Sequence, residues 1–201
     1  MRAFISSVIV FAIFAGYSLE AVASAPAESA KLGTYDVDPD HSKITWSVNH
    51  LGFSTYKGQF SHVTGILYLE PNDITNSRLN ITIDVASVGS FNPRLDAELK
   101  GIKFFDVATY PTATYKSRHI VSTGPTTATV DGILTMMGRS SPVILHVSFN
   151  RAGINPLAKA YELGFDGQAI FARSQFGITA YIPYVGDQVS LDLEGEFHLQ
   201  H

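Results

Sequence analysis

The run His41-Ser42-Lys43-Ile44-Thr45-Trp46-Ser47-Val48-Asn49-His50-Leu51-Gly52-Phe53, continued to Lys57-Gly58-Gln59-Phe60, decides how this chain is read. From Ile44 the residue types alternate. Ile44, Trp46, Val48 and His50 project to one side of an extended chain, and Thr45, Ser47 and Asn49 to the other. One face is therefore apolar and ends in an imidazole. Gly52 can take the backbone angles of a turn, and Lys57 to Phe60 begins a second extended run. Two such strands suit a sheet that encloses an apolar space.

The same period of two recurs outward from this stretch. Leu79, Ile81, Ile83 and Val85 interleave with Asn80, Thr82 and Asp84; Val143, Leu145, Val147 and Phe149 interleave with His146 and Ser148. Val189, Leu191, Leu193, Phe197 and Leu199 alternate with Ser190, Asp192, Glu194, Glu196 and His198. Less regular runs cover Tyr56 to Glu70, Thr112 to Val121, Thr127 to Thr135 and Tyr161 to Arg173, bounded by turn formers such as Pro71-Asn72-Asp73 and Gly124-Pro125. About eight strands in roughly 165 residues is the pattern of a barrel or sandwich. Between Asn92 and Phe105 the period changes, with Leu95, Leu99 and Ile102 at helical spacing, and one short helix is expected over Pro93 to Lys103.

Composition bounds the function classes. At 45% hydrophobic and 16% charged over 201 residues, the chain reads as one globular domain. Lys and Arg number 14 against 18 Asp and Glu, without a basic run, so nucleic acid is not an expected partner. Residues 1–23 read as a signal peptide: Met1-Arg2 supplies a positive start, Ala3 to Leu19 is almost wholly apolar, and cleavage falls after Ala23 or Ala25. That apolar stretch is at the short limit for a span, so no stable membrane anchor is expected. Residues 24–33 read as a linker and 34–201 as the folded domain. With no cysteine, the chain has neither disulfides nor a cysteine-borne lipid anchor.

Nothing in the sequence has the spacing of a catalytic motif, and the expected activity is binding, with no catalytic residues. The seven histidines are dispersed and thiolates are absent, so no metal site is expected. His50 has two readings: a core histidine hydrogen-bonded to a neighbour, or a polar anchor inside an apolar cavity. Trp46, Phe53, Phe60, Phe165, Phe171 and Phe176 are likewise either ordinary core or cavity wall, and periodicity does not separate the two. The full set of candidate lumen residues is Trp46, Val48, His50, Phe53, Phe60, Ile81, Ile83, Leu134, Leu145, Phe165, Phe171 and Phe176.

Four blocks, in order, carry a resemblance over about Thr34 to Leu199. They are His41-Ser42-Lys43-Ile44 through His50-Leu51-Gly52 to Gly58-Gln59-Phe60; Phe104-Phe105-Asp106 with Tyr110-Pro111; Gly132-Ile133-Leu134-Thr135 with Gly138 and Pro142-Val143; and Arg173-Ser174-Gln175-Phe176-Gly177 leading to Val185-Gly186-Asp187. The chain resembles the YceI-like family of secreted, polyisoprenoid-binding, lipocalin-like proteins. The resemblance implies an all-β fold, an elongated antiparallel β-barrel of about eight strands with one short helix. It also implies a long-chain isoprenoid or fatty lipid as ligand in the lumen, no other cofactor, and a periplasmic location. One departure stands in the helix, where Asp96-Ala97-Glu98-Leu99 carries an acid in place of the family's usual histidine. Arg173 is expected to pair with a strand-end carboxylate, and Gly186-Asp187 to form a hairpin turn. An enzyme acting on the bound lipid through His50, and a barrel filled by its own side chains, are the alternatives. Open strand edges would favour a homodimer.

Overall fold

In the computed structural model, which describes residues 29–200, the alternating runs become the strands β1 (Gly33–Val37), β2 (Lys43–His50), β3 (Ser54–Phe60), β4 (Val63–Leu69), β5 (Arg78–Asp84) and β6 (Val88–Gly89). After the helix α1 (Pro93–Lys100) come β7 (Thr112–Ser122), β8 (Thr127–Met136), β9 (Arg139–Ile154), β10 (Tyr161–Ala172) and β11 (Val185–Leu199). The expected signal peptide lies outside the described residues. Every pairing is antiparallel, and the order β1-β4-β5-β7-β8-β9-β10-β11 closes on itself where Tyr35 pairs with Leu199.

The described residues thus form a closed eight-stranded antiparallel barrel with one α-helix. The three remaining strands prolong three walls of that ring. β2 carries β1 onward along β11, β3 prolongs β4, and β6 prolongs β5, so that β2, β3 and β6 pair in the same sequence as their partners. The bends have local causes. Pro39, without an N–H, interrupts the first wall; Ser61-His62 interrupts the second, within the run read above as continuous from Tyr56 to Glu70. A 3-10 turn at Val85–Ser87, where the Asp84 side chain accepts from the Ala86 N–H, bends the third. β9, at 16 residues, spans about 50 Å, which makes the barrel elongated. Closure pairs every strand of the ring on both sides, while β3, outside it, meets β6 only at Gln59 and Phe60 and keeps a free edge over 54–58.

Turns at residues 51–53, 90–111, 137–138 and 173–184 gather at one end, here called upper. Those at 70–77, 123–126 and 155–160 gather at the lower end. There Tyr35 OH donates to the Lys31 carbonyl (2.7 Å) and Tyr161 OH to the Ser29 carbonyl (2.9 Å), so residues 29–32 lie across the barrel's foot.

The helix begins as expected, with Asn92 accepting from the Arg94 and Leu95 N–H groups and Pro93 in the first turn. It stops at Lys100, three residues short of Lys103, because Gly101 leaves the helical conformation and its N–H caps the Glu98 carbonyl. Leu99 and Phe104 are buried there, and Phe105 meets Phe60 edge-on at 5.3 Å. Ile102, read as part of the helical apolar face, lies beyond the helix and is exposed.

Candidate functional site

Residues directly opposite each other in a sheet share a face, so the register identifies the inner wall. Val189, Leu191 and Leu193 of β11 stand opposite Val48, Trp46 and Ile44 of β2 on one side, and Phe171, Ala169 and Gly167 of β10 on the other. Gly167 and Phe165 face Val147 and Phe149 of β9. Across the barrel, Ile81, Tyr115 and Leu134 form one row, and Leu145 pairs with Val130. The interior is apolar throughout these rows.

Its filling is uneven. Towards the lower end Tyr35, Ala152 and Leu163 are fully buried. Val48, Tyr56, Val147, Phe149, Phe165, Phe171, Val189, Leu191 and Leu193 belong to the same inner face yet are only half-buried. The wall formed by β2, β3, β9, β10 and β11 is therefore the less completely covered part of the interior.

Of the residues proposed from the sequence, Trp46, Phe60, Ile83, Leu134 and Leu145 are buried on the inner face, and Val48, Ile81, Phe165 and Phe171 are half-buried on it. Phe176 is fully buried, but on a 3-10 turn (Arg173–Phe176) at the upper end, edge-on to Phe171 at 5.4 Å. Two residues require correction. His50 keeps the inward parity of Trp46 but is the last residue of β2, where the wall ends, and it is exposed beside the Tyr56 ring at 6.1 Å. Phe53 sits on the β2–β3 turn and is 89% exposed. Alternation predicts a face, but only the length of the wall decides which residues it covers.

The polar feature that sequence reasoning undervalued is Trp46 Nε1, a buried N–H donor with no hydrogen-bond partner among the described residues. Trp46 packs against Gly58 of the adjacent strand so closely that a Cβ at Gly58 would collide with the indole. That close approach is a physical reason for the glycine.

Arg173 closes the upper end, although not against a carboxylate as expected. Its buried guanidinium donates to four carbonyls: Gly186 (2.8 Å), Ile178 (3.1 Å), Ala180 (2.8 Å) and Val185 (2.9 Å). Burial pulls its pKa below the ordinary value, opposed by the Asp187 carboxylate. Gly186 and Asp187 lie within β11, not in a hairpin turn. Asp187 accepts from the Ser174 N–H (2.9 Å) and hydroxyl (2.7 Å), which ties the crossover to the barrel.

A second polar group, not foreseen from the sequence, occupies the bend between β1 and β2. Asp38 Oδ2 accepts from His41 Nδ1 (2.6 Å) and lies 3.0 Å from His198 Nε2, while His198 Nδ1 faces Glu162 Oε1 at 3.1 Å. Asp38, His41 and Glu196 each offer an atom within 4.8 Å of the others, a spacing compatible with a cation, but the Asp38 oxygen is already engaged by both imidazoles. Burial would raise the Asp38 carboxyl; hydrogen bonds from His41, the Asp40 N–H and His198 outweigh it and bring the pKa from 3.8 down to about 2. The hydrogen bond to Asp38 raises His41 above its ordinary 6.5.

The sign of the coupling follows. Asp38, lowered on folding, contributes stability that is present above about pH 4 and lost as the pH falls towards 2. His41, raised on folding, contributes below about pH 6.5 and loses its contribution as the pH rises through its folded value. Asp38→Asn is expected to cost about 2 kcal/mol at pH 5 to 6, with the difference vanishing near pH 2. Urea denaturation at pH 5.5 and pH 2 measures it, and an equal loss at both values would refute the electrostatic origin.

Comparison with known proteins places this geometry among relatives. Residues 35–197 match the YceI-like domain. A UPF0312 protein of Vibrio cholerae is 33% identical over 80% of this chain and 85% of its own length. Among solved structures, BcnA of Burkholderia cenocepacia superposes with a TM-score of 0.72 at 25% identity, covering 80% of this chain and 98% of that one. A polyisoprenoid binding domain from Saccharophagus degradans, implicated in plant cell wall breakdown, superposes with a TM-score of 0.65 at 13% identity, covering 83% and 98%. At that identity the likeness is one of fold.

Proposed function

Because the chain belongs to the YceI-like domain family and solvent reaches apolar side chains inside its barrel, we propose that it binds a long-chain isoprenoid or related amphiphilic lipid in the lumen and carries or sequesters it in the periplasm. The half-buried inner face of β9, β10 and β11 is the observation that carries this reading. A chain of about twenty carbons buried at ~0.8 kcal/mol per methylene gains on the order of 16 kcal/mol, against ~4 to 15 kcal/mol for association and ordering. Where association and ordering cost less than about 8 kcal/mol, the chain alone gives submicromolar affinity without a strong polar contact. The unpaired Trp46 Nε1 is a donor that an oxygen of the ligand would satisfy, so it replaces His50 as the contact that orients the cargo.

Two alternatives fare less well. Catalysis through His50 lacks support, since that side chain is exposed and has no hydrogen bond or ion pair among the described residues. A barrel filled by its own side chains is the other alternative, and the partial exposure of the inner face on β9, β10 and β11 favours the binding reading over it.

Protein purified without ligand exchange is expected to contain a prenyl or fatty lipid, detected by organic extraction and mass spectrometry. Absence of any lipid, together with failure to bind added prenyl lipid, would refute the proposal.

A further inference from the structure

Large exposed apolar side chains are not spread evenly over the barrel. Four of the five most exposed, Phe91 at 94%, Phe53 at 89%, Ile102 at 82% and Tyr184 at 69%, lie on upper-end loops, and Leu51 and Tyr181 join them there. These loops, remote in sequence, form one surface. The Leu51 N–H donates to the Tyr184 carbonyl (2.9 Å), Tyr181 OH donates to Glu98 on α1, and the Tyr181 ring lies 6.0 Å from that of Phe104.

The backbone adds to the case. Leu51 (φ 55), Phe91 (φ 60) and Tyr181 (φ 62) occupy the left-handed region, which large side chains rarely adopt. Presenting an apolar side chain to water from an unfavourable backbone is doubly costly, and it recurs three times at one end. The charge also differs from that of the whole chain. Net charge is −4 overall, yet the fully exposed charges at this end are Arg94, Lys103 and, at the start of β9, Arg139 against Glu98, which Tyr181 engages, while Lys100, Asp96 and Asp106 are half-buried.

We propose that the upper end of the barrel docks on an anionic bilayer, with Phe53, Phe91 and Ile102 entering the interfacial layer and Arg94, Lys103 and Arg139 facing lipid phosphates. Separate apolar tips flanked by cations suit a fluid interface, where each tip inserts independently. A protein partner would instead need one shaped patch. Val48, Tyr56, Phe171 and Val189, four of the half-buried inner residues, lie nearest this same end, so docking would bring the upper part of that inner wall to the lipid surface. The surface stands on its own exposure and charge; only this last link rests on the lumen reading.

The test is sedimentation of the purified protein with vesicles of phosphatidylglycerol and phosphatidylethanolamine, and with phosphatidylcholine vesicles for comparison. The native protein is expected to bind the anionic vesicles and to be released by salt. The triple variant F53S/F91S/I102S should bind at least tenfold more weakly with an unchanged unfolding transition, whereas Leu157→Ser, an exposed site at the lower end, should bind as the native protein does. In a second measurement, the fluorescence of Phe91→Trp should shift to the blue on adding anionic vesicles. Failure of the native protein to bind, undiminished binding by the triple variant, or an unshifted spectrum would overturn the proposal. So would light scattering that shows a dimer which the triple variant dissolves without any vesicle binding, since the surface would then belong to a second copy. Copurified lipid in a protein that ignores vesicles refutes the docking surface and leaves the lumen reading intact; vesicle binding by a protein that is lipid-free and fails to bind added prenyl lipid does the reverse.

Discussion

Replacing Arg173 with methionine is expected to destabilise the protein by about 3 to 5 kcal/mol, the largest effect of any single substitution considered. Arg173 is 5% exposed, and its guanidinium supplies four hydrogen bonds that hold the crossover between β10 and β11, beside those of Asp187 to Ser174. Methionine fills much of the space but leaves four carbonyls without that donor, in a segment where water does not readily replace it. Arg173→Lys isolates the geometric part of the effect. It keeps the charge, yet one ammonium with three donors does not reproduce a planar fork that spans Ile178 to Gly186, and an intermediate loss is expected. Urea denaturation of both variants measures this. A loss below about 1 kcal/mol for Arg173→Met would mean that the crossover finds other partners.

Filling the lumen is the second large effect. Val147→Trp is expected to weaken prenyl-chain binding roughly sixty-fold, because the larger ring displaces about three ligand methylenes at ~0.8 kcal/mol each. The site suits the purpose. Val147 is half-buried on the inner face and stands between Ala128 of β8 and Gly167 of β10, two small neighbours. The unfolding midpoint should move little, which distinguishes blockage from collapse. His50→Ala is the control, since an exposed residue at the end of β2 should leave lumen affinity unchanged. Titration calorimetry with a prenyl alcohol compares the three proteins. Unaltered affinity in Val147→Trp would place the ligand elsewhere.

Much of the barrel was legible because its strands report their own faces. The alternation at Ile44 to Val48, Leu79 to Ile83, Val143 to Phe149 and Val189 to Leu199 maps onto β2, β5, β9 and β11 with the inward residues as read. β1 was missed. It is only five residues long, and Gly33-Thr34-Tyr35-Asp36-Val37 shows too few alternations to register, although its pairing with both β4 and β11 closes the ring. Helix length was misjudged because Gly101 ends α1 by backbone geometry, while the apolar spacing runs on to Ile102. That error concealed the exposed residue that now belongs to the upper-end surface.

The polar sites show a sharper division. Arg173 was visible as a residue of interest, but its partners are carbonyls, and a carbonyl leaves no mark in a sequence. The grouping of Asp38 with His198 and Glu162 joins three distant positions that meet only because β1 and β10 flank β11.

By itself the sequence determined the fold class, the inward and outward parity of each long strand, and the start of the helix, since these follow from local period and local capping. Tertiary structure alone decided where the wall ends, and so that His50 and Phe53 lie outside it. It also decided which inward residues remain open to solvent, and that apolar tips from separate loops share one end. Those properties depend on closure and on distances between segments remote in the chain, which a period of two does not encode.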